Sequence, residues 1–260
     1  MLKIATFNVN SIRSRLHIVI PWLKENKPDI FCMQETKVDD RNFPEGDFHR
    51  IGYHVVFSGS KGRNGVAIAS LKEPDSIEFG LDSVPEDRDR LIKAEFSDLV
   101  VVNTYVPQGF KIDSPKYRYK LEWFARLKDY FKRNLDLEGF VAWCGDMNVA
   151  PLDIDVHNPK RLRNHVCFHE DAKLAFEEVK ALGFVDVFRK HHPEPGQYTF
   201  FDYRVKNAVE RGLGWRVDHI LASKQLAEKS KDCYIDMKPR LQNKPSDHTI
   251  LVAEFDFGFK

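Results

Sequence analysis

The chain has 260 residues, 42% of them hydrophobic, enough apolar material for a full core near the upper size for one domain. Forty Lys plus Arg nearly balance 39 Asp plus Glu, for a net charge of +1. That excludes a global field for nucleic acid and leaves any DNA contact to local basic clusters. Balance also fits a site that gathers carboxylates and offsets them with Lys and Arg elsewhere. Cys32, Cys144, Cys167 and Cys233 stand far apart with no C-x-x-C pair, against a structural zinc site or a disulfide framework. Cys32 and Cys144 lie within apolar runs, as buried thiols do. The first residues turn polar too soon for a signal-peptide core, and no apolar stretch reaches the ~18 residues of a membrane span. A soluble, cytoplasmic protein is expected.

Strand-length apolar runs recur along the chain. Leu2 to Val9 is the first, followed by a helical segment between Arg15 and Asn26 in which Pro21 is either a kink or the start of a shorter helix. Strands are predicted at Asp29 to Gln34, Tyr53 to Phe57, Val66 to Ser70, Leu91 to Phe96 and Leu99 to Tyr105. A helix over Tyr117 to Asn134 places Leu121, Phe124, Leu127 and Phe131 on one face. After a strand at Phe140 to Gly145, a helix over Ala172 to Leu182 groups Leu174, Val179 and Leu182. Val217 to Ala222 and Thr249 to Phe255 complete the strands. The surface loops are predicted at Lys61 to Gly65, Pro85 to Arg90, Pro107 to Pro115 and Asn158 to His165. Many strands with few helices point to two face-to-face sheets with helices outside. No linker or repeat divides the chain, so one domain over residues 1–260 is expected.

Several strands end alike, an apolar run giving way to Asn, Asp or Glu. The endings are Asn8-Val9-Asn10, Gln34-Glu35-Thr36, Tyr105-Val106-Pro107-Gln108 and Gly145-Asp146-Met147-Asn148, and Ser246-Asp247-His248 precedes the last strand. Singly, such residues serve turns. Meeting on one rim, Asn8, Glu35, Asp146, Asn148 and Asp247 would offer hard oxygen ligands suited to Mg²⁺ or Mn²⁺ and poorly suited to zinc. His248 has a candidate partner in Asp218, an acid within an apolar strand that needs compensation. Asp218 could instead pair with Arg216 or cap a turn.

The segments T-F-N-V-N-S-I-R, P-D-I-F-C-M-Q-E-T-K, N-T-Y-V-P-Q-G, C-G-D-M-N-V-A, G-Q-Y-T-F-F, G-W-R-V-D-H-I-L and P-S-D-H-T-I together resemble the exonuclease III family of abasic-site endonucleases. The resemblance spans almost the whole chain in the family's order. It implies a four-layered α/β sandwich of the DNase I-like type, two packed mixed β-sheets flanked by helices. It also implies a Mg²⁺-dependent phosphodiesterase, with Mn²⁺ as a substitute, acting on duplex DNA with abasic sites or 3′ ends, away from membranes and as a monomer. The chain departs from the family's pattern in S-D-H-T-I and in N-H-V-C-F-H-E-D-A around Phe168, which bears on loop geometry and damage preference.

By the same resemblance Glu35 is the main metal ligand, joined by Asn8 and Asp247, with Asp146, Asn148 and His248 also within the metal's reach. Asp146 orients and deprotonates the attacking water, and Asn148 donates to Asp146 or to a phosphoryl oxygen. His248, steadied by Asp218, donates to the phosphate, and Tyr105 points its hydroxyl at the phosphate or leaving group. Phe200, Trp215 and Val217 match the pocket for a flipped-out sugar, although aromatics at such positions also serve as plain core. Asn10, Lys61 and Arg63 are candidate DNA contacts, with Arg118, Lys160, Arg161 and Arg163 as further phosphate contacts. Two rivals share parts of this pattern. A phosphatase of small phosphoesters would lack Tyr-Val-Pro-Gln and the aromatic Trp-Arg-Val-Asp pocket. A catalytically dead DNA-binding homologue would have lost part of the acid, amide, Tyr and His set, and here all are present.

Overall fold

A computed structural model describes residues 1–259. The strands are β1 (Leu2–Asn8), β2 (Ile30–Gln34), β3 (His54–Ser60), β4 (Arg63–Ser70), β5 (Ser76–Phe79), β6 (Leu91–Phe96), β7 (Leu99–Tyr105), β8 (Phe140–Asp146), β9 (Phe184–Asp186), β10 (Asp218–Ser223), β11 (Ser230–Asp236) and β12 (Ile250–Phe255). The helices are α1 (Ile12–Asn26), α2 (Glu45–His49), α3 (Pro115–Asn134), α4 (Pro159–Leu162), α5 (Glu170–Lys180), α6 (Val187–His191) and α7 (Lys224–Glu228). One six-stranded sheet runs β11-β12-β1-β2-β4-β3 and the other β5-β6-β7-β8-β10-β9. Both are mixed, since β1–β2 and β7–β8 pair in parallel and the rest antiparallel.

Three apolar layers hold four layers of structure together. Between the sheets, Ile4, Ile30, Cys32, Ile68 and Leu251 meet Ile92, Val101, Ala142, Cys144 and Ile220. The alternate residues of the first sheet, Phe7, Phe31 and Met33, pack against Val19, Trp22 and Leu23 of α1. Those of the second, Val102, Val141 and Trp143, pack against α3 and α5 through Phe124, Leu127, Phe131, Phe176 and Val179. This period-two division of each strand between faces makes the sandwich. The DNase I-like sandwich expected from the resemblance is therefore the observed fold.

Some local expectations change. Helix α1 runs unbroken through Pro21; Ile18, Val19, Trp22 and Leu23, buried on either side of it, keep the helix on the sheet despite the missing backbone donor. Leu174, expected in the core, is 54% exposed, and α5 instead buries Ala172, Phe176 and Val179. The Lys61 to Gly65 loop shrinks to the tip of the β3–β4 hairpin, with Ser60 opposite Arg63. The Asn158 to His165 loop contains α4, capped by the Asn158 side chain accepting from the Arg161 N–H. Among the described residues no helix is long and apolar enough to cross a membrane.

Candidate active site

Topology carries the polar strand endings to one rim. In the parallel pair β1–β2, Asn8 lies opposite Gln34, so Glu35 follows at the same edge. In the parallel pair β7–β8, Tyr105 lies opposite Asp146, and antiparallel β10 places its first residue, Asp218, against Asp146 on the other side. β12 is antiparallel to β1, which sets His248, just before β12, at this rim too. Backbone turns at the strand ends aim the side chains: Asn10, Glu35 and Asn148 have φ of 43°, 50° and 49°, a left-handed conformation that non-glycine residues enter sparingly and that gathers at functional sites. Gly145, at φ 136°, is required for another reason. A Cβ there would lie 2.0 Å from the Thr104 carbonyl oxygen on β7.

One hydrogen-bonded series links these groups. The Asn10 amide donates to Asp247 Oδ1 at 3.0 Å, and Lys37 Nζ donates to Asn10 Oδ1 at 2.6 Å. Lys37 also pairs with Glu35 Oε2 at 2.6 Å. The Asn8 amide donates to Glu35 Oε1 at 2.9 Å and to Asp146 Oδ2 at 2.8 Å. Asp146 Oδ1 accepts the Asn148 backbone N–H at 2.9 Å, and the Asn148 side chain donates to Val106 O at 2.9 Å and to Asp146 Oδ2 at 3.3 Å. His248 Nδ1 lies 2.8 Å from Asp218 Oδ2, and its Nε2 lies 3.9 Å from Asp146. Asp218 thus pairs with His248 and not with Arg216, which lies between Asp155 and Asp186.

The electrostatics divide the groups by role. Burial raises Asp146 above the usual carboxylate range, and Asp218 and Glu35 add to this against the opposing pull of His248. Burial acts on Glu35 in the same direction, but Lys37 and then Asn8 hold it below its ordinary value. For His248 burial disfavours the cation, yet Asp218, Asp146 and Asp247 outweigh it and lift the imidazole to about 10. Burial, Glu35 and Asp146 push Tyr105 well up, so its hydroxyl keeps its proton at neutral pH.

The donor set fits a hard divalent cation. Glu35, Asp146 and Asp247 line the same cavity of about 440 Å³, and three carboxylates facing one space are the oxygen donors that such a cation takes. Asp218 Oδ1 is buried without a hydrogen-bond partner among the described residues. Asp146, Asp218 and His248 also bring one atom each within 4.8 Å of one another. Within that trio His248 Nδ1 is taken by Asp218 Oδ2 at 2.8 Å, which leaves Nε2 as the ring nitrogen on the Asp146 side. The acids beside Asn8 are the better cage.

Residues 5–248 match the Endonuclease/Exonuclease/phosphatase family. The chain belongs to this family. It is 35% identical to exodeoxyribonuclease III of Haemophilus influenzae, covering 98% of this chain and 100% of that protein. An AP endonuclease structure from Archaeoglobus fulgidus superposes with a TM-score of 0.98 at 70% identity, covering 99% of this chain and 100% of the other. A 3′ phosphatase from Neisseria, bound to a product DNA hairpin, superposes with a TM-score of 0.95 at 39% identity, covering 99% and 100% of the two chains. Within the family the chain is a nuclease of the exodeoxyribonuclease III and AP endonuclease type.

Of the residues singled out from sequence, Glu35, Tyr105, Asp146, Asn148, Phe200, Trp215, Val217, Asp247 and His248 line the family member's cavity together. Asn8, Asn10 and Asp218 stand directly behind them through the bonds above. Phe200 faces His248 with ring centroids 4.9 Å apart and bridges to Trp215, so the aromatics form a wall beside the acid–imidazole couple. Lys61 and Arg63 lie outside the cavity, exposed on the β3–β4 hairpin, and Arg118, Lys160, Arg161 and Arg163 are also exposed away from its lining. The lining further includes Gln108, the last residue of the Tyr105-Val106-Pro107-Gln108 ending, and His165, Cys167, Asp202, Tyr203 and Arg204, which the strand-end pattern does not reach because they sit in loops. Lys120 was missed as well. It is fully buried in α3, and its ammonium donates to the carbonyls of Asn148 at 2.7 Å, Val166 at 2.8 Å and Gln108 at 3.2 Å. A lysine between aromatic helix positions was the available signal.

Proposed function

We propose that the chain is a Mg²⁺-dependent DNA phosphodiesterase that cuts duplex DNA on the 5′ side of an abasic site and trims 3′ ends. The observation that carries this is one cavity in which Asp146 and the His248–Asp218 couple stand beside Glu35 and against an apolar wall of Phe200, Trp215 and Val217. Hydrolysis of a phosphodiester needs neutralised phosphate charge, an in-line water and help for the departing 3′ oxygen. Glu35 and Asp146 would hold the metal, with Asp247 nearby. Bound there, the metal supplies Lewis-acid stabilisation of phosphate charge.

The chain's own groups do the rest. Asn8 and Asn148 fix both oxygens of Asp146 by donated N–H bonds, so the carboxylate is oriented to take a proton from the attacking water. His248, charged at neutral pH and fixed through Nδ1 by Asp218, offers Nε2–H to a non-bridging phosphate oxygen. Tyr105, kept protonated, donates its O–H to the phosphate or the leaving oxygen. The aromatic wall offers an apolar seat for a flipped-out sugar without a base.

The test is a duplex bearing one abasic analogue, incubated with the enzyme and Mg²⁺, beside blunt and 3′-phosphate duplexes. Nicking 5′ to the analogue that stops on adding EDTA is expected. Equal cleavage in EDTA would reject the metal role, and cleavage of the 3′ ends alone would reject the abasic reading.

A further inference from the structure

The wall of the cavity carries a hydrogen-bond donor that the roles above leave unused. His165 lines the cavity and is exposed to it. Its ring is tilted by 50° against the Trp215 indole, with centroids 4.5 Å apart. The Cys167 backbone N–H donates to His165 Nδ1 at 3.2 Å. A ring nitrogen that accepts a hydrogen bond carries no proton, so the proton of this imidazole sits on Nε2. Among the described residues Nε2 has no hydrogen-bond partner in the protein. The wall therefore runs from His248 through Phe200 and Trp215 to His165, with the phosphate chemistry at one end and a free N–H donor at the other.

A sugar that has lost its base keeps a hydroxyl at C1′ in its ring-closed form, whereas a tetrahydrofuran analogue has only hydrogen there. Against an apolar wall that hydroxyl loses its water and needs a partner. We propose that His165 is the specificity-determining residue for this oxygen: its Nε2–H donates to the C1′ hydroxyl of a sugar seated on Phe200 and Trp215, favouring a natural abasic site over the analogue. This rests on the abasic-site reading above.

The test compares kcat/KM on two duplexes of one sequence, one with a natural abasic sugar and one with tetrahydrofuran. Wild type, His165→Phe and His165→Gln are measured side by side. Wild type should prefer the natural site by about 3- to 10-fold, the worth of one neutral hydrogen bond. His165→Phe should bring the ratio to about one, and His165→Gln, which keeps an N–H donor, should preserve the preference. Because both substrates meet the same protein sample, partial misfolding of a variant cancels in the ratio. A wild-type ratio of one, a ratio unchanged in His165→Phe, or a preference lost in both variants overturns the donor role while abasic cleavage stands. Failure of wild type to nick either duplex overturns the abasic reading and this inference with it.

Discussion

Replacing Arg216 with Met should destabilise the enzyme more than any change at its exposed cations. Arg216 is fully buried directly before Val217, which lines the cavity, and Asp218, which pairs with His248. Its Nε donates to Asp155 Oδ1 at 2.6 Å and its Nη2 to Asp155 Oδ2 at 3.2 Å. On the other side Nη2 reaches Asp186 Oδ2 at 2.7 Å and Nη1 reaches Oδ1 at 3.2 Å. Without the guanidinium, Asp155 keeps Arg189 at 3.0 Å, and Asp186 keeps the Arg189 backbone N–H at 3.2 Å. About one carboxylate charge is left uncompensated, and breaking a buried pair in this way costs roughly 3–5 kcal/mol. At roughly 2–4 °C per kcal/mol for a chain of this size, Tm should fall by about 6–20 °C at neutral pH. Burial works to raise both acids, but Arg216, together with Arg189 at Asp155 and His219 at Asp186, outweighs it and holds them below the usual carboxylate range. The folded pKa is thus depressed, so the stability is fully present above the unfolded value of about 4 and is lost as pH falls through the folded values. In the variant, burial is no longer offset as fully, and protonation relieves the uncompensated charge. The Tm gap between the two proteins, followed by far-UV circular dichroism, should therefore be widest near pH 7 and narrow from about pH 6 toward 3. A variant melting within about 2 °C of wild type at neutral pH, or a gap that stays constant on acidification, would refute this reasoning.

Asp146→Asn should lose at least ~10²-fold in kcat if the carboxylate takes the water's proton, while DNA binding in a gel-shift assay stays close to wild type. Near-normal single-turnover cleavage would remove Asp146 from that role. Gly145→Ala forces a Cβ to within 2.0 Å of Thr104 O, so β7 and β8 must part where Tyr105 and Asp146 face each other. A loss of about 2 kcal/mol or more in denaturant unfolding, together with a large fall in activity, is expected. Unchanged stability and turnover would mean that the strands absorb the side chain.

Strands buried on both faces are legible, as is the edge strand β3, whereas the edge strands β5, β9 and β11 are opaque. β2 and β8 are apolar almost throughout because each lies between two layers, which gives a continuous apolar run in the sequence. β5 and β11 are edge strands; Ser76, Ile77 and Glu78 are exposed, as are Lys231 and Asp232. Neither carries the pattern that burial imposes, and neither was anticipated. β9, with three residues, is too short to show a period. Leu174 errs the other way, as an apolar residue at a helical spacing that the fold leaves in solvent. Spacing alone does not say which arc of a helix meets the sheet.

The site was legible for a different reason, and that reason also explains what stayed hidden. Apart from Asn103, whose amide is bonded inside the sandwich, the amides and carboxylates of these buried strands stand where the chain leaves the sheet, so Asn8, Glu35 and Asp146 advertise the strand ends, and the parallel pairs then place those ends on one rim. Partners supplied across the fold have no such marker. Asp155 and Asp186 compensate Arg216 from 61 and 30 residues away, and Lys120 reaches Val166 from 46. His165 shows the limit most sharply: the Cys167 N–H two residues on fixes its tautomer, a local fact, but only the fold brings Trp215 against its ring and sets both on the lining of one cavity.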